Sequence, residues 1–62
     1  MIDKSDIKKG AFLIFDNTQV VQYFIILEDY IDDKNKTDIY QLDTKRILHY
    51  TFQSNSLQYW FK

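Results

Sequence analysis

A chain of 62 residues buries only about 60% of the surface that its unfolded form exposes, so a single domain over residues 1–62 is the ceiling. With no cysteine, neither a disulfide nor a thiolate metal site can reinforce so small a fold, which leaves a dense apolar core or a partner as its support. Hydrophobic and aromatic contents of 45% and 18%, one Gly and no Pro argue against disorder, and a net charge of -1 excludes a strong overall pull on nucleic acid or an anionic membrane.

From Met1 to Gly10 the chain alternates charged and polar residues around Ile2 and Ile7, without the apolar run of a signal peptide. No stretch reaches the length of a transmembrane helix. The expectation is a cytoplasmic protein that makes no membrane contact, in which the Asn35-Lys36-Thr37 sequon has no secretory context to make it a glycan site.

Five runs of strand-forming residues follow. Ala11 to Phe15 is a continuous apolar run after Gly10, closed by the turn residues Asp16-Asn17-Thr18. Val20 to Leu27 alternates with period two. Its odd positions Val21, Tyr23, Ile25 and Leu27 are all apolar and are read as the core face, whereas the even ones mix Val20, Phe24 and Ile26 with Gln22 and Glu28. Val20, Phe24, Leu27 and Ile31 also fall at helical spacing, but the β-branched and aromatic content favours a strand. Asp29 to Lys36 is a charged hairpin loop. Thr37 to Leu42 sets Tyr40 and Leu42 against Ile39 and Gln41, and Asp43 to Arg46 turns the chain. Ile47 to Phe52 sets Leu48, Tyr50 and Phe52 against Ile47, His49 and Thr51. After Gln53 to Ser56, Leu57 to Phe61 is a fifth short strand, or a helical turn leading into one.

Five short antiparallel strands laid flat leave one face wet and two edges open to other chains, and curling into a small barrel addresses both problems. Ile7-Lys8-Lys9-Gly10 before an apolar strand, then Tyr23 to Leu27, a charged loop and Ile39-Tyr40-Gln41-Leu42, resemble the strand rhythm of SH3-like small barrels, including short bacteriophage-encoded proteins. The resemblance implies an all-β, five-stranded antiparallel SH3-like barrel and, for function, an accessory protein in the host cytoplasm or the virion that joins a larger complex or binds a host protein. SH3-like barrels serve several functions, so the fold alone selects none of them.

The residues offer little catalytic machinery. His49 is the single histidine and has no cysteine to complete a metal site with it. Asp29, Asp32, Asp33 and Asp38 surround a loop with some of the rhythm of a calcium site, but Asp38 stands where that loop needs Gly and Thr44 where it needs Glu. Ser5, Ser54 and Ser56 would need a base, and His49 has no acidic residue near it in sequence to orient it; Gly10 alone makes no phosphate loop. The reading is a non-enzymatic protein with no catalytic residue, metal or cofactor.

Two binding modes remain. Lys8, Lys9, Lys45 and Arg46 could form a basic strip beside Tyr50, Tyr59 or Trp60 as base-stacking platforms, the alternative reading as a nucleic-acid-binding barrel. The favoured reading is a protein interface or self-association. It rests on the surplus of apolar residues opposite the expected core, namely Phe12, Ile14, Val20, Phe24, Ile26, Ile39, Ile47 and Trp60, because contiguous exposed apolar area marks interaction surfaces. The expected interface is Phe24 and Ile26 with Tyr59, Trp60 and Phe61. The competing expectation is that Met1 to Lys9 folds over that same face within one chain.

Overall fold

A computed structural model describes residues 1–32 and 36–62; Asp33, Lys34 and Asn35, at the centre of the expected charged loop, lie outside the described residues. Five strands form one antiparallel sheet: β1 (Phe12–Asp16), β2 (Val21–Ile26), β3 (Thr37–Gln41), β4 (Arg46–Tyr50) and β5 (Trp60–Phe61). Among the described residues two 3-10 turns complete the regular structure, η1 (Lys4–Asp6) before the sheet and η2 (Ser54–Tyr59) leading into β5.

The first hairpin shows how locally the chain specifies its pairing. Asp16 Oδ1 accepts from the Thr18 N–H, and Asn17 Oδ1 accepts from the N–H groups of Gln19 and Val20, so two short side chains hold the turn that sequence analysis places there. The turn fixes the register Asp16↔Val21, Phe15↔Gln22, Ile14↔Tyr23, Leu13↔Phe24 and Phe12↔Ile25. β3 then pairs with β2 through Phe24↔Gln41, Ile25↔Tyr40 and Ile26↔Ile39, and β4 with β3 through pairs that include Ile39↔Leu48 and Thr37↔Tyr50.

Sheet order is β4-β3-β2-β1-β5. No ladder among the described residues joins β4 to β5, so the sheet is open, and the expected closed barrel is corrected to a five-strand antiparallel sheet. The reason lies in β5. It supplies two residues, both of which pair with β1 as Ile14↔Phe61 and Phe15↔Trp60, so its ladder is too short to carry the sheet round to β4. Aromatic rings bridge the gap instead. Trp60 packs at centroid distances of 5.2 Å from Phe15, 5.1 Å from Phe24, 5.4 Å from Tyr50 and 5.0 Å from Phe52, in the tilted and edge-on arrangements that ring quadrupoles favour.

The registers define two faces, and they reverse the expected assignment for β2. Phe24 and Ile26 point inward and are 4% and 0% exposed, as is Trp60 at 1%, in one cluster with Ile2, Ile7, Leu13, Ile39 and Phe52. Val21 and Tyr23, expected in the core, lie on the outer face. The competing expectation for the N-terminus holds. Asp3 caps η1 by accepting from the Ser5 N–H, the Asp3 N–H donates back to Asp6, and this turn sets Ile2 and Ile7 into the cluster that contains Phe24 and Ile26. The Tyr30 N–H donates to Ile7 O and the Lys9 N–H to Asp29 Oδ1, at 2.9 and 2.7 Å, which fastens the segment to the start of the β2–β3 connection. Gly10, at φ 88°, makes the reversal into β1, donating to Ile26 O at 2.7 Å. This left-handed backbone suits glycine at low cost.

One ion pair ties the two ends of the chain together, Lys62 Nζ to Asp6 Oδ1 at 3.1 Å. The Asp3 backbone N–H, and after it Lys62, hold the Asp6 carboxyl below the usual carboxylate range. A carboxyl with a lower pKa folded than unfolded contributes stability above its unfolded value and loses that contribution as pH falls through the folded one. The melting temperature is therefore expected to fall as the solution is acidified through and below about pH 4. Asp6→Asn should lower it at pH 7 and flatten that acid limb, which thermal melts at pH 7 and pH 3 would measure.

Candidate functional site

The sheet's two faces pose separate chemical questions. On the inner face, where β4 and β5 fail to meet, lies an open cleft of about 190 Å³ lined by Phe15, Gln22, Phe24, Gln41, Leu48, Tyr50 and Trp60. Each of the five strands contributes, because the inward position recurs at every second residue. None of the lining side chains carries a charge. Trp60 is fully packed, yet its indole Nε1–H has no hydrogen-bond acceptor among the described residues, a condition that costs about 1–3 kcal/mol for a buried donor.

The outer face is apolar and largely uncovered. Ile47, Tyr40, Ile25 and Phe12 are successive register neighbours across β4, β3, β2 and β1, and Tyr23, Ile14 and Phe61 form a second row across β2, β1 and β5. Ile47 is 59% exposed, Phe12 46%, Tyr23 43% and Phe61 40%, with Val21 beside them at 48%. The Phe12 and Tyr23 rings stack across the strands at 6.0 Å and 16° between planes, a diagonal cross-strand pair. Ile14, Ile25 and Tyr40 between them are half-buried, so the rows form an apolar face on a molecule whose total accessible area is 4372 Å².

Of the expected interface residues, Phe24, Ile26 and Trp60 are core side chains, so the expected exposed face is corrected there. Tyr59 and Phe61 are exposed, but only Phe61 lies on the outer face, since Tyr59 packs toward Phe15 at 6.1 Å. Sequence analysis missed Tyr23 and Val21 as surface residues, although Phe12 and Ile47 stood in its apolar surplus. The signal that would have found them is the pairing itself: once Leu13 is inside, its partner Phe24 is inside too, and Tyr23 must face out.

The four basic residues are not brought together. Lys8 and Lys9 precede the Gly10 turn, which bonds the Ile26 end of β2, while Lys45 sits in the β3–β4 turn and Arg46 opens β4 opposite Gln41, level with Phe24 and toward the Val21 end. The registers place the two pairs at opposite ends of the sheet, and of the three proposed platforms Trp60 is buried and Tyr50 partly so.

His49 does find an acid in space. Its Nδ1 bonds Asp38 across the β3–β4 ladder on the outer face. Ser5 Oγ donates to Asp3, and Ser56 Oγ to Gln53 O, so neither of these hydroxyls is directed at His49. The pair reads as a cross-strand contact at the rim of the apolar rows. Asp29 is engaged with the Lys9 N–H and Asp32 lies 3.9 Å from Lys4; among the described residues no group of three or more acidic or histidine side chains converges on a metal-sized space. No described helix is long and apolar enough to cross a membrane. No protein-family model, characterised protein or solved structure matches this chain.

Proposed function

We propose that this chain is a non-enzymatic protein-interaction module of SH3-like build, which covers its inner face with its own termini and offers the outer face of the sheet to another protein surface. The observation that carries the reading is the uncovered double row Ile47–Tyr40–Ile25–Phe12 and Tyr23–Ile14–Phe61. Exposing that much contiguous apolar area is unfavourable for an isolated chain and is relieved when another surface excludes water from it. A stable interface takes about 800 Å² from each partner, with an aromatic and aliphatic centre inside a polar rim. The rows supply the centre, and Asp16, Asp38 and His49 stand on the same face as part of the rim.

The meander from β1 to β4 and the return of β5 to β1 after a 3-10 turn support the SH3-like reading, with the aromatic cluster around Trp60 occupying the place of the missing ladder. The partner is a foreign protein, as for an accessory subunit of a larger assembly, or a second copy of the chain. The absence of charge from the centre of the rows suits either an apolar foreign surface or self-association, since like charges across a contact would oppose pairing. Nucleic acid would need phosphate contacts from a continuous basic surface, and the separation of Lys8 and Lys9 from Lys45 and Arg46 does not favour it.

Tagged wild-type protein and the Ile47→Asp and Tyr23→Lys variants, each folded by circular dichroism, separate the outcomes in one affinity capture from cells that produce the chain. Wild type is expected to retain a stoichiometric protein partner, or an untagged copy of itself, that both variants lose. Retention of the same partner by both variants would remove the outer face from the reading. Recovery of nucleic acid in place of protein would move the basic residues to the front.

A further inference from the structure

We propose that the free edge of β4 pairs with the β4 edge of a second copy of this chain, as antiparallel strands about a two-fold axis at Leu48. β4 is the last strand on its side of the sheet, so one line of its backbone groups has no ladder partner among the described residues. The bonds on the far side of β3 identify that line. The Leu27 N–H donates to Asp38 O and the Leu42 N–H to Tyr23 O, so the backbones of Asp38, Tyr40 and Leu42 turn toward β2, and those of Thr37, Ile39 and Gln41 toward β4. Their register partners Tyr50, Leu48 and Arg46 therefore bond β3, and the N–H and C=O groups of Ile47 and His49 point away from the sheet.

An extended strand satisfies such a row, and the residues of β4 select its own copy. Edges are commonly blunted by shortness, proline or charge; β5, at the other end of the sheet, has two residues, whereas β4 has five and no proline. Trp60 meets β4 at Tyr50, its last residue, and Arg46, Ile47 and His49 are exposed. With the axis at Leu48, Ile47 lies opposite His49 of the second copy and His49 opposite its Ile47, so both outward residues are paired and each pair exchanges two backbone bonds. Leu48 meets Leu48 in a non-hydrogen-bonded pair, where side chains come closest, and Arg46 meets Tyr50, a cation beside an aromatic ring. Within the paired strands no charge faces a like charge. An axis at Ile47 would set His49 against Lys45, and an axis at His49 would set two imidazoles together. Association stops at two copies, because it uses both β4 edges and leaves only the two-residue β5 at each outer end. The outer faces of the two copies then lie side by side, and the pairing stands or falls independently of what sits on them.

Sedimentation equilibrium of the purified chain from low micromolar to millimolar concentration is expected to approach twice the 7.6 kDa of one copy, with a dissociation constant of about 100 µM. Over the same range, amide hydrogen exchange followed by nuclear magnetic resonance should slow several-fold at Ile47 and His49, whose N–H groups point outward, and stay unchanged at Leu48, whose N–H bonds β3. His49→Pro removes one outward donor without touching the β3 ladder, a position where an edge strand tolerates proline, and should be a folded monomer. His49→Ala keeps that donor and should still dimerise, as should Tyr23→Lys on the outer face. If His49→Pro does not fold, the wild-type exchange pattern decides alone. A chain that stays monomeric throughout, a dimer that leaves the Ile47 and His49 amides unprotected, a folded His49→Pro protein that dimerises as wild type does, or a dimer lost in Tyr23→Lys would each overturn the proposal. The last of these would assign self-association to the outer face instead.

Discussion

Trp60→Ala is expected to abolish stable folding at 25 °C. The side chain is the largest in the core, touches four other rings at centroid distances of 5.0–5.4 Å, and is the only inward residue that β5 contributes. Truncating a buried aromatic costs about 3–5 kcal/mol, through lost burial and the cavity that remains. A chain of this size has a total stability of roughly 3–9 kcal/mol, so the loss consumes most of it. The position also substitutes for a ladder, since the rings around Trp60 hold β5 near β4 where no backbone bonds do. Trp60→Phe should be milder, because it keeps an aromatic in the cluster and removes the unsatisfied Nε1–H. Near-ultraviolet circular dichroism with thermal melting decides: a cooperative Trp60→Ala melt within a few degrees of wild type would show that the cluster is not the centre of the fold.

The second large effect is a contrast between two faces of one sheet. Phe24→Asp places a carboxylate at a position 4% exposed, against Trp60 and opposite Leu13. Burying an unpaired charge is among the few single changes that exceed about 4 kcal/mol, and this variant is expected to be unfolded. Ile47→Asp places the same carboxylate at 59% exposure and should change stability by about 0.5 kcal/mol or less, while removing the apolar end of the outer row and with it partner binding. Urea unfolding followed by tryptophan fluorescence compares the two directly. A folded Phe24→Asp protein would return Phe24 to the surface, and an unfolded Ile47→Asp protein would show that the outer row is itself buried.

The contrast also shows where sequence stops being informative. The strands were legible because β-branched and aromatic runs broken by Asp-Asn-Thr and Asp-Thr-Lys-Arg admit few other structures, and for β4 the set Leu48, Tyr50 and Phe52 lies inward as expected; in β3, Ile39 stood in the surplus opposite the expected core, but its register with Ile26 and Leu48 sets it inside. Over residues 20–28 both alternate sets are apolar, four odd positions against three of five even ones, and period two says that faces alternate without saying which is inside. Orientation was settled elsewhere in the chain, by Leu13 through its register with Phe24 and by Ile2, Ile7 and Trp60, which arrive from both termini to cover that side. Gln22 and Glu28 made the even face look too polar for a core. Gln22 is tolerated because it lines the open cleft, Glu28 because it lies beyond the end of β2 and accepts from the Asp38 N–H, and the cleft exists because β5 is too short to close the sheet. None of these three facts is local, so a strand-by-strand reading passes over them. His49 and Asp38 likewise meet only through the β3–β4 register, eleven positions apart.

The account's central claim is that the double row on the outer face is where another protein sits, and side-chain footprinting measures it most directly. Photochemical carbene labelling of the purified chain at low micromolar concentration should modify Phe12, Tyr23, Ile47 and Phe61 heavily and leave Phe24, Ile26 and Ile39 unmodified. Labelling repeated on the complex captured from the producing cells should show Phe12, Tyr23 and Ile47 protected several-fold, with Lys8, Lys9 and Tyr59 unchanged. Equal labelling of the outer row in the free and captured states would contradict the claim, whatever else the chain is found to bind.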